Sequence, residues 1–184
     1  MDEREAITRL KQGDIGGLSA LVGLYQQKAI QSAYLVTGDT MLAEDLVQAA
    51  FVRSYQRIDQ FDDARPFGPW FIRIVINDAI KVAQRQNRQV SLDAGEHSLA
   101  ELLTDPNPGP AVQMEEAEFR QAVRTALKRL TPQQRAAIVM RYFLEMTEDE
   151  IAVAIHSPPG TVKSRLHRAR QHLRALLNPL AGGR

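Results

Sequence analysis

Apolar residues recur at steps of three and four along nearly the whole chain, and no stretch sustains the every-second-residue alternation of a strand. Leu18, Leu21, Val22, Tyr25, Ala29, Ala33 and Val36 define one amphipathic helix, with Gly13-Asp14 before it and Gly38-Asp39 after it as stop and cap signals. Ala43, Leu46, Val47, Ala50, Phe51, Tyr55 and Ile58 repeat the spacing and leave Glu44, Asp45, Gln48, Arg53, Gln56 and Arg57 on the other side of a second helix. Residues 59–69, with Asp62-Asp63, Pro66, Gly68 and Pro69, read as a loop, after which Trp70, Phe71 and Ile74 carry a third helix to about Arg88.

The periodicity weakens from residue 89 to 115, and the run Asp105-Pro-Asn-Pro-Gly-Pro110 cannot continue a helix because its three prolines lack amide donors. Regular spacing resumes at Glu116 with Phe119, Val123, Ala126, Leu127 and Leu130. Two capping boxes mark helix starts, Thr131 with Gln134 (Pro132 at the first helical position) and Thr147 with Glu150. A third start is expected at Ser157 with Pro158 behind it. A short helix to about Ile155, a tight turn and a long helix form a helix-turn-helix arrangement. The expected fold is all-α, with two small helical domains, 1–88 and 116–184, joined by a flexible linker, 89–115. The helix-turn-helix lies in the second domain.

Composition narrows the function classes. The chain has 184 residues, 44% apolar, with 23 Lys and Arg against 22 Asp and Glu and no Cys. This is globular composition, without disulfides, thiolate zinc sites or redox thiols. Met1 is followed by charged residues rather than by a secretory leader, and Arg73, Asn77 and Lys81 break the best apolar stretch well short of the ~20 residues of a membrane span. A cytoplasmic protein with no membrane insertion is expected. The near-neutral total conceals an asymmetry. Residues 1–85 carry ten basic and eleven acidic side chains, residues 86–115 one and five, and residues 116–184 twelve and six. From Gly160 onward Lys163, Arg165, Arg168, Arg170, Arg174 and Arg184 occur with no acid, the electrostatic footprint of polyanion binding.

On a 100° wheel Val162, Leu166, Ala169 and Leu173 cluster as the buried stripe of this basic helix. Lys163, Ser164, His167, Arg168 and Gln171 fall on the exposed face, the first four near the N-terminal end where a recognition helix touches base edges. Arg165, Arg170 and Arg174 flank that face, as phosphate contacts do. Gly160-Thr-Val-Lys-Ser164 lacks the Gly before Lys that a phosphate-binding loop needs, and His97, His156, His167 and His172 lack the spacing of a zinc protease. No metal, cofactor or catalytic constellation is expected, and the chain is read as a non-enzyme. In the first domain six of eleven aromatics, Phe51, Tyr55, Phe61, Phe67, Trp70 and Phe71, fall within residues 51–71. Trp70 and Phe71 sit at helical spacing as packing residues, whereas Phe61 and Phe67 in the loop, beside Arg65, Arg73 and Asn77, suit stacking on unpaired bases.

AEDLVQAAF (Ala43–Phe51), PWFIRIVIN (Pro69–Asn77), LTPQQR (Leu130–Arg135) and EIAVAIHSPPGTVKSRLHRAR (Glu150–Arg170) together resemble a bacterial RNA polymerase sigma factor of the extracytoplasmic function group. The resemblance covers nearly the whole chain in the right order. It implies that Asp45 and Gln48, with Phe51 and Tyr55 on the same helix, bind core RNA polymerase. It further implies that Phe61, Arg65, Phe67, Arg73 and Asn77 recognise the minus-ten element as single-stranded DNA. Lys163, Ser164, Arg165, His167, Arg168 and Arg174 correspondingly contact duplex DNA at the minus-thirty-five element. Ala49 departs from the acid often found there, and His156-Ser157-Pro158-Pro159 departs from a Gly-containing turn. An acidic linker suits the polymerase's basic RNA channel, and the group leaves open an anti-sigma partner. The alternative is a one-component helix-turn-helix repressor with an N-terminal sensing or dimerisation domain, which predicts tight operator binding without polymerase. A recombinase or nuclease needs catalytic residues that the sequence does not supply.

Energy independently requires a partner. Opening about ten base pairs costs on the order of 14 kcal/mol. Stacking returns only ~1–3 kcal/mol per captured base, and the chain has no nucleotide-hydrolysis motif.

Overall fold

The computed structural model of the protein describes residues 1–89 and 110–181, with side chains over 1–87 and 117–178. Every regular element among the described residues is helical: α1 (Glu3–Lys11), α2 (Gly16–Thr37), α3 (Thr40–Gln56), a 3-10 turn (Ile58–Gln60), α4 (Phe67–Gln89), α5 (Pro110–Lys128), α6 (Pro132–Ile138), a π-helical turn (Val139–Phe143), α7 (Glu148–Ala154) and α8 (Pro159–Ala181). The chain divides into two compact units, Met1–Val82 and Ala83–Arg184.

In the first unit, Gly38 at φ 77° ends α2, and the Asp39 carboxylate accepts the Leu42 amide at 3.1 Å to start α3. The Gly38-Asp39 signal therefore has its expected geometry, whereas α2 has Ile15 at its cap position with no side-chain cap, and Asp14 accepts the Gly16 amide at 2.8 Å. Ala43, Val47, Ala50, Phe51 and Ser54 form the buried stripe of α3. Phe51 stacks on Phe71 of α4 at 4.2 Å between ring centroids, and Phe67, Phe71 and Phe61 extend this aromatic core. The expected 59–69 loop is shorter than the sequence suggests. Its first residues join the 3-10 turn, and α4 begins at Phe67 with Pro69 inside its first turn, where a proline loses no helical hydrogen bond. Helix α1 has no counterpart in the sequence reading. The Asp2 carboxylate caps it by accepting the Glu5 amide at 2.8 Å, and Ala6, Ile7 and Leu10 dock it on α2. Nine residues are too few for a stable isolated helix, so this burial holds it.

In the second unit α5 begins at Pro110, six residues before the expected restart. Residues 90–109 of the expected linker lie outside the described residues. Both capping boxes are present with both of their bonds, Thr131 with Gln134 and Thr147 with Glu150. Arg135 is buried, its guanidinium donating to the carbonyl oxygens of Leu127 at 2.9 Å and of Lys128 and Leu130 at 3.2 Å. These carbonyls at the end of α5 offset much of the cost of burying the charge, although desolvation still lowers its pKa. Helix α6 continues into the π turn, where the Leu144 amide donates to the Val139 carbonyl, a wider closure that no local sequence rule signals.

Helix α7 closes with the Ser157 amide on the Ala152 carbonyl at 3.0 Å and the His156 amide on Val153 at 3.4 Å, the double bond of a Schellman motif. His156 takes the left-handed position, φ 48°, that glycine usually fills. Helix α8 starts at Pro159, one residue later than expected from a Ser157 cap. The Ser157 hydroxyl instead donates to the Ile155 carbonyl at 3.4 Å and accepts from Arg165. Val162, Leu166 and Ala169 have no exposed surface and Leu173 is half-buried, so the wheel places the inner face of α8 correctly.

Candidate polymerase and nucleic-acid interfaces

Two surfaces in the first unit hold the residues expected to make contacts. The outward face of α3 presents Met41, Asp45, Gln48, Val52 and Tyr55 at successive steps of four and three, with Ala49 beside them. Asp45 and Gln48 are exposed as expected. Tyr55 is 37% exposed and can take part in the same face. Phe51 cannot. It is 5% exposed and stacked on Phe71, because position 51 continues the inner 43, 47, 50 stripe, so its expected role as a polymerase contact is corrected to a core role. Met41 and Val52, 76% and 53% exposed on the same face, lie outside the expected set. Their signal is an apolar residue at either end of a polar wheel face, between two helical turns that the core does not claim.

The second surface follows the loop after the 3-10 turn into α4. Phe61 and Phe67, expected to stack on bases, are 4% and 0% exposed. Phe61 meets Phe67 edge-on at 5.6 Å and Trp70 at 5.1 Å, and Phe67 lies 5.7 Å from Tyr25, so neither ring can reach a base without leaving the core. That expectation is corrected, and its physical reason is the short loop, which folds its aromatics under itself. Trp70, expected to pack, is half-buried, with its covered side against Phe61 and Phe67. Arg73 and Asn77, half-buried, follow it one and two turns along α4, and Lys81 continues the row. Arg65 is exposed at the loop tip and pairs with Asp62 at 3.3 Å.

The third surface is the exposed face of α8. Lys163, Ser164, His167, Arg168, Gln171 and Arg174 are all exposed over the buried Val162, Leu166 and Ala169. Among the described residues no carboxylate forms an ion pair with Lys163, Arg168 or Arg174. Arg165 differs from its neighbours. It is half-buried and its guanidinium donates to the Ser157 hydroxyl at 3.1 Å, tying the recognition helix to the turn before it. Among the described residues no three His, Asp or Glu side chains converge on a common point, and no described helix is long and apolar enough to cross a membrane.

Comparison with known proteins gives these surfaces a common context. The family described as sigma-70 region 2 matches residues 21–89, which contain α3 and α4, and that described as sigma-70 region 4 matches residues 120–173, which contain both capping boxes and most of α8. The chain is 31% identical to the ECF RNA polymerase sigma factor SigW of Bacillus subtilis, over 96% of this chain and 97% of that one. It is also 31% identical to the ECF RNA polymerase sigma-E factor of Escherichia coli K12, over 98% and 96%. Two solved structures share its fold. They are CnrH in complex with the cytosolic domain of CnrY (24% identity, TM-score 0.66, 96% of this chain and 97% of that one) and the sigma factor RpoE from Bartonella quintana in complex with the anti-sigma factor NepR (22%, TM-score 0.64, 87% and 96%). With both regions matched in order and near-complete coverage of its relatives, the chain belongs to the ECF family of RNA polymerase sigma factors.

Proposed function

We propose a division of labour for this sigma factor, which directs core RNA polymerase to promoters. In this reading residues 1–88 bind polymerase and recognise the minus-ten element, residues 89–115 join the two functions, and residues 116–184 recognise the minus-thirty-five element. The observation that carries the reading is the unpaired basic face of α8, held outward by a fully buried apolar stripe on the helix that follows a tight turn. On that face Lys163, Ser164, His167 and Arg168 read base edges, while Arg174 and Arg170 contact phosphate. Arg165 mainly fixes the angle of the helix through Ser157.

On α3, Asp45 and Gln48 supply directional contacts to polymerase and Met41, Val52 and Tyr55 supply apolar area. On α4, Trp70, Arg73 and Asn77, with the adjoining loop and Arg65, capture unpaired bases. Trp70 takes the stacking role expected of Phe61 and Phe67. The chain carries out no reaction of its own in this reading. Polymerase holds the separated strands, and the chain works beside it in the cytoplasm. An anti-sigma protein, as in the similar solved complex of RpoE with NepR, is a further proposed partner. The repressor alternative is not favoured by the family.

In vitro transcription tests the reading. Core polymerase with the complete chain is expected to initiate from a cognate promoter where core alone does not, and the chain without core is expected to bind the same DNA weakly. Tight promoter binding by the chain alone, with no effect on transcription, contradicts it.

A further inference from the structure

Helix α4 begins without a local cap. Pro66 precedes its first residue and has no side-chain acceptor, and Pro69, two residues into the helix, has no amide to satisfy. The free amide of Phe67 is instead met from 64 residues away, by the Glu3 carboxylate of α1 at 2.9 Å. The Tyr25 hydroxyl of α2 donates to the same carboxylate, and the Gly68 backbone hydrogen-bonds the phenol in turn. The approach is so close that a Cβ on Gly68 would come within 2.7 Å of the Tyr25 ring, which explains a glycine in the first turn of this helix. At the other end of the loop, Lys11 of α1 donates to the Phe61 carbonyl at 2.9 Å and pairs with Asp63 at 2.8 Å. Glu3 and Lys11 are the two ends of one nine-residue helix. Each end of α1 therefore grips one end of the 61–66 loop.

We propose that α1 is a brace that sets the minus-ten loop, and that Glu3 and Lys11 are positioning residues for base capture although neither touches DNA. The proposal rests on the reading that this loop and the start of α4 recognise the minus-ten element. The loop has six residues, one of them proline, and Asp62 holds its tip locally through the Ala64 amide at 3.0 Å and through Arg65. With the tip ordered by itself and the Phe61 ring packed on Trp70, the two ends of α1 supply the polar contacts that fix the loop's backbone at Phe61 and Phe67. A sub-ångström error in that position affects captured bases directly, because aromatic stacking and hydrogen bonding to a base both fall off steeply with distance. Glu3 also places a negative charge at the amide end of α4, where the helix dipole favours it.

The test uses holoenzyme assembled from core polymerase and the full chain, with the variants Glu3→Ala, Glu3→Gln, Lys11→Met and Asn77→Ala. Affinity is measured for single-stranded minus-ten oligonucleotides with the preferred base and with one substituted base, alongside association with core. Wild type gives a discrimination ratio between the two oligonucleotides. Glu3→Ala is expected to lower that ratio by about tenfold, the factor lost with one charge-assisted hydrogen bond, and Lys11→Met to lower it severalfold, while core association stays within about twofold. Glu3→Gln keeps an oxygen that accepts the Phe67 amide and is expected to restore most of the ratio, which a general loss of stability does not explain. Lys11→Met keeps the half-buried aliphatic stem while removing the ammonium, and answers the question even where Glu3→Ala does not fold. A wild-type ratio in both Glu3→Ala and Lys11→Met, with the ratio lost in Asn77→Ala, overturns the brace and leaves the minus-ten reading standing. A wild-type ratio in Asn77→Ala as well overturns both.

Discussion

The two parts of this sigma factor proposed to face DNA differ in the polar contacts that hold them. The polar contacts that set α8 run between near neighbours in sequence, a capping box three residues wide at Thr147, the Schellman closure at His156 and Ser157, and the Arg165 to Ser157 bond eight residues apart, while its buried stripe packs on α5 and α6 as well as on α7. The minus-ten loop is set by contacts across the first unit, from Glu3 to Phe67 and from Lys11 to Phe61, 64 and 50 residues apart. Local contacts make a helix-turn-helix that keeps its geometry wherever the unit goes. Long-range contacts make a loop whose geometry depends on the whole first unit being folded, which suits a site that must stay aligned with polymerase while it draws a base from the duplex.

Substitution of a buried aromatic should expose this dependence most strongly. Phe67→Ala empties a site with no exposed surface and is expected to destabilise the first unit by about 3–5 kcal/mol, read by urea unfolding with the fluorescence of Trp70, the chain's single tryptophan, which contacts it. A loss below about 1 kcal/mol would return Phe67 to the surface and to base stacking. The second unit should separate affinity from specificity instead. Arg168→Ala is expected to cost roughly 1–3 kcal/mol on the preferred minus-thirty-five sequence and to relax discrimination at one position. Arg174→Ala is expected to weaken all sequences alike and lower the log-log salt slope by about one. Holoenzyme binding to promoter variants at several salt concentrations measures both, and an exchange of the two behaviours means that α8 is rotated from the orientation described.

Smaller effects test the local contacts themselves. Thr147→Ala removes one half of a capping box and should cost about 1 kcal/mol of stability in denaturant unfolding. His156→Gly should raise stability by up to about 1 kcal/mol, since glycine adopts φ 48° without the Cβ clash. The smallest effect is on pH dependence. The Thr147 amide and hydroxyl both donate to the Glu150 carboxylate at 2.8 Å and hold its pKa below the usual 4.5. A lowered folded pKa means that the bond's contribution is present above about pH 4.5 and is lost as pH falls below it, so Glu150→Gln should lower unfolding midpoints slightly at neutral pH, leave them unchanged in acid and thereby flatten the acid limb.

The same contrast explains what the sequence disclosed. Both capping boxes, the Gly38-Asp39 junction and the inner face of α8 were legible because each is a pattern within one or two helical turns. The polar face of α3 was legible for Asp45 and Gln48, and the spacing placed Phe51 on the apolar stripe, where it lies; its polymerase role came from the resemblance alone. Phe61 and Phe67 were assigned to bases because they stand in the loop beside Arg65, Arg73 and Asn77, and aromatics beside cations suit base stacking. That the loop folds its rings under α4 depends on α1 and Tyr25, which lie far away in sequence. Helix α1 itself went unread, since nine residues give the apolar spacing barely two turns to repeat. The π turn had no local signal, and the tight turn read after Ile155 did not say that His156 itself takes the left-handed position.

The central claim, that the first unit captures unpaired minus-ten bases while the second docks on duplex, is tested most directly by permanganate footprinting of holoenzymes carrying Asn77→Ala or Arg168→Ala. Each is compared on a fully paired promoter and on the same promoter with the minus-ten region supplied unpaired. Unstacking a base costs a few kcal/mol, which a captured base partly offsets, so the Asn77→Ala defect should be large on the paired template and shrink on the unpaired one. The Arg168→Ala defect should be similar on both. Equal opening by wild type and Asn77→Ala on the paired promoter, or a rescue confined to Arg168→Ala, would contradict the account.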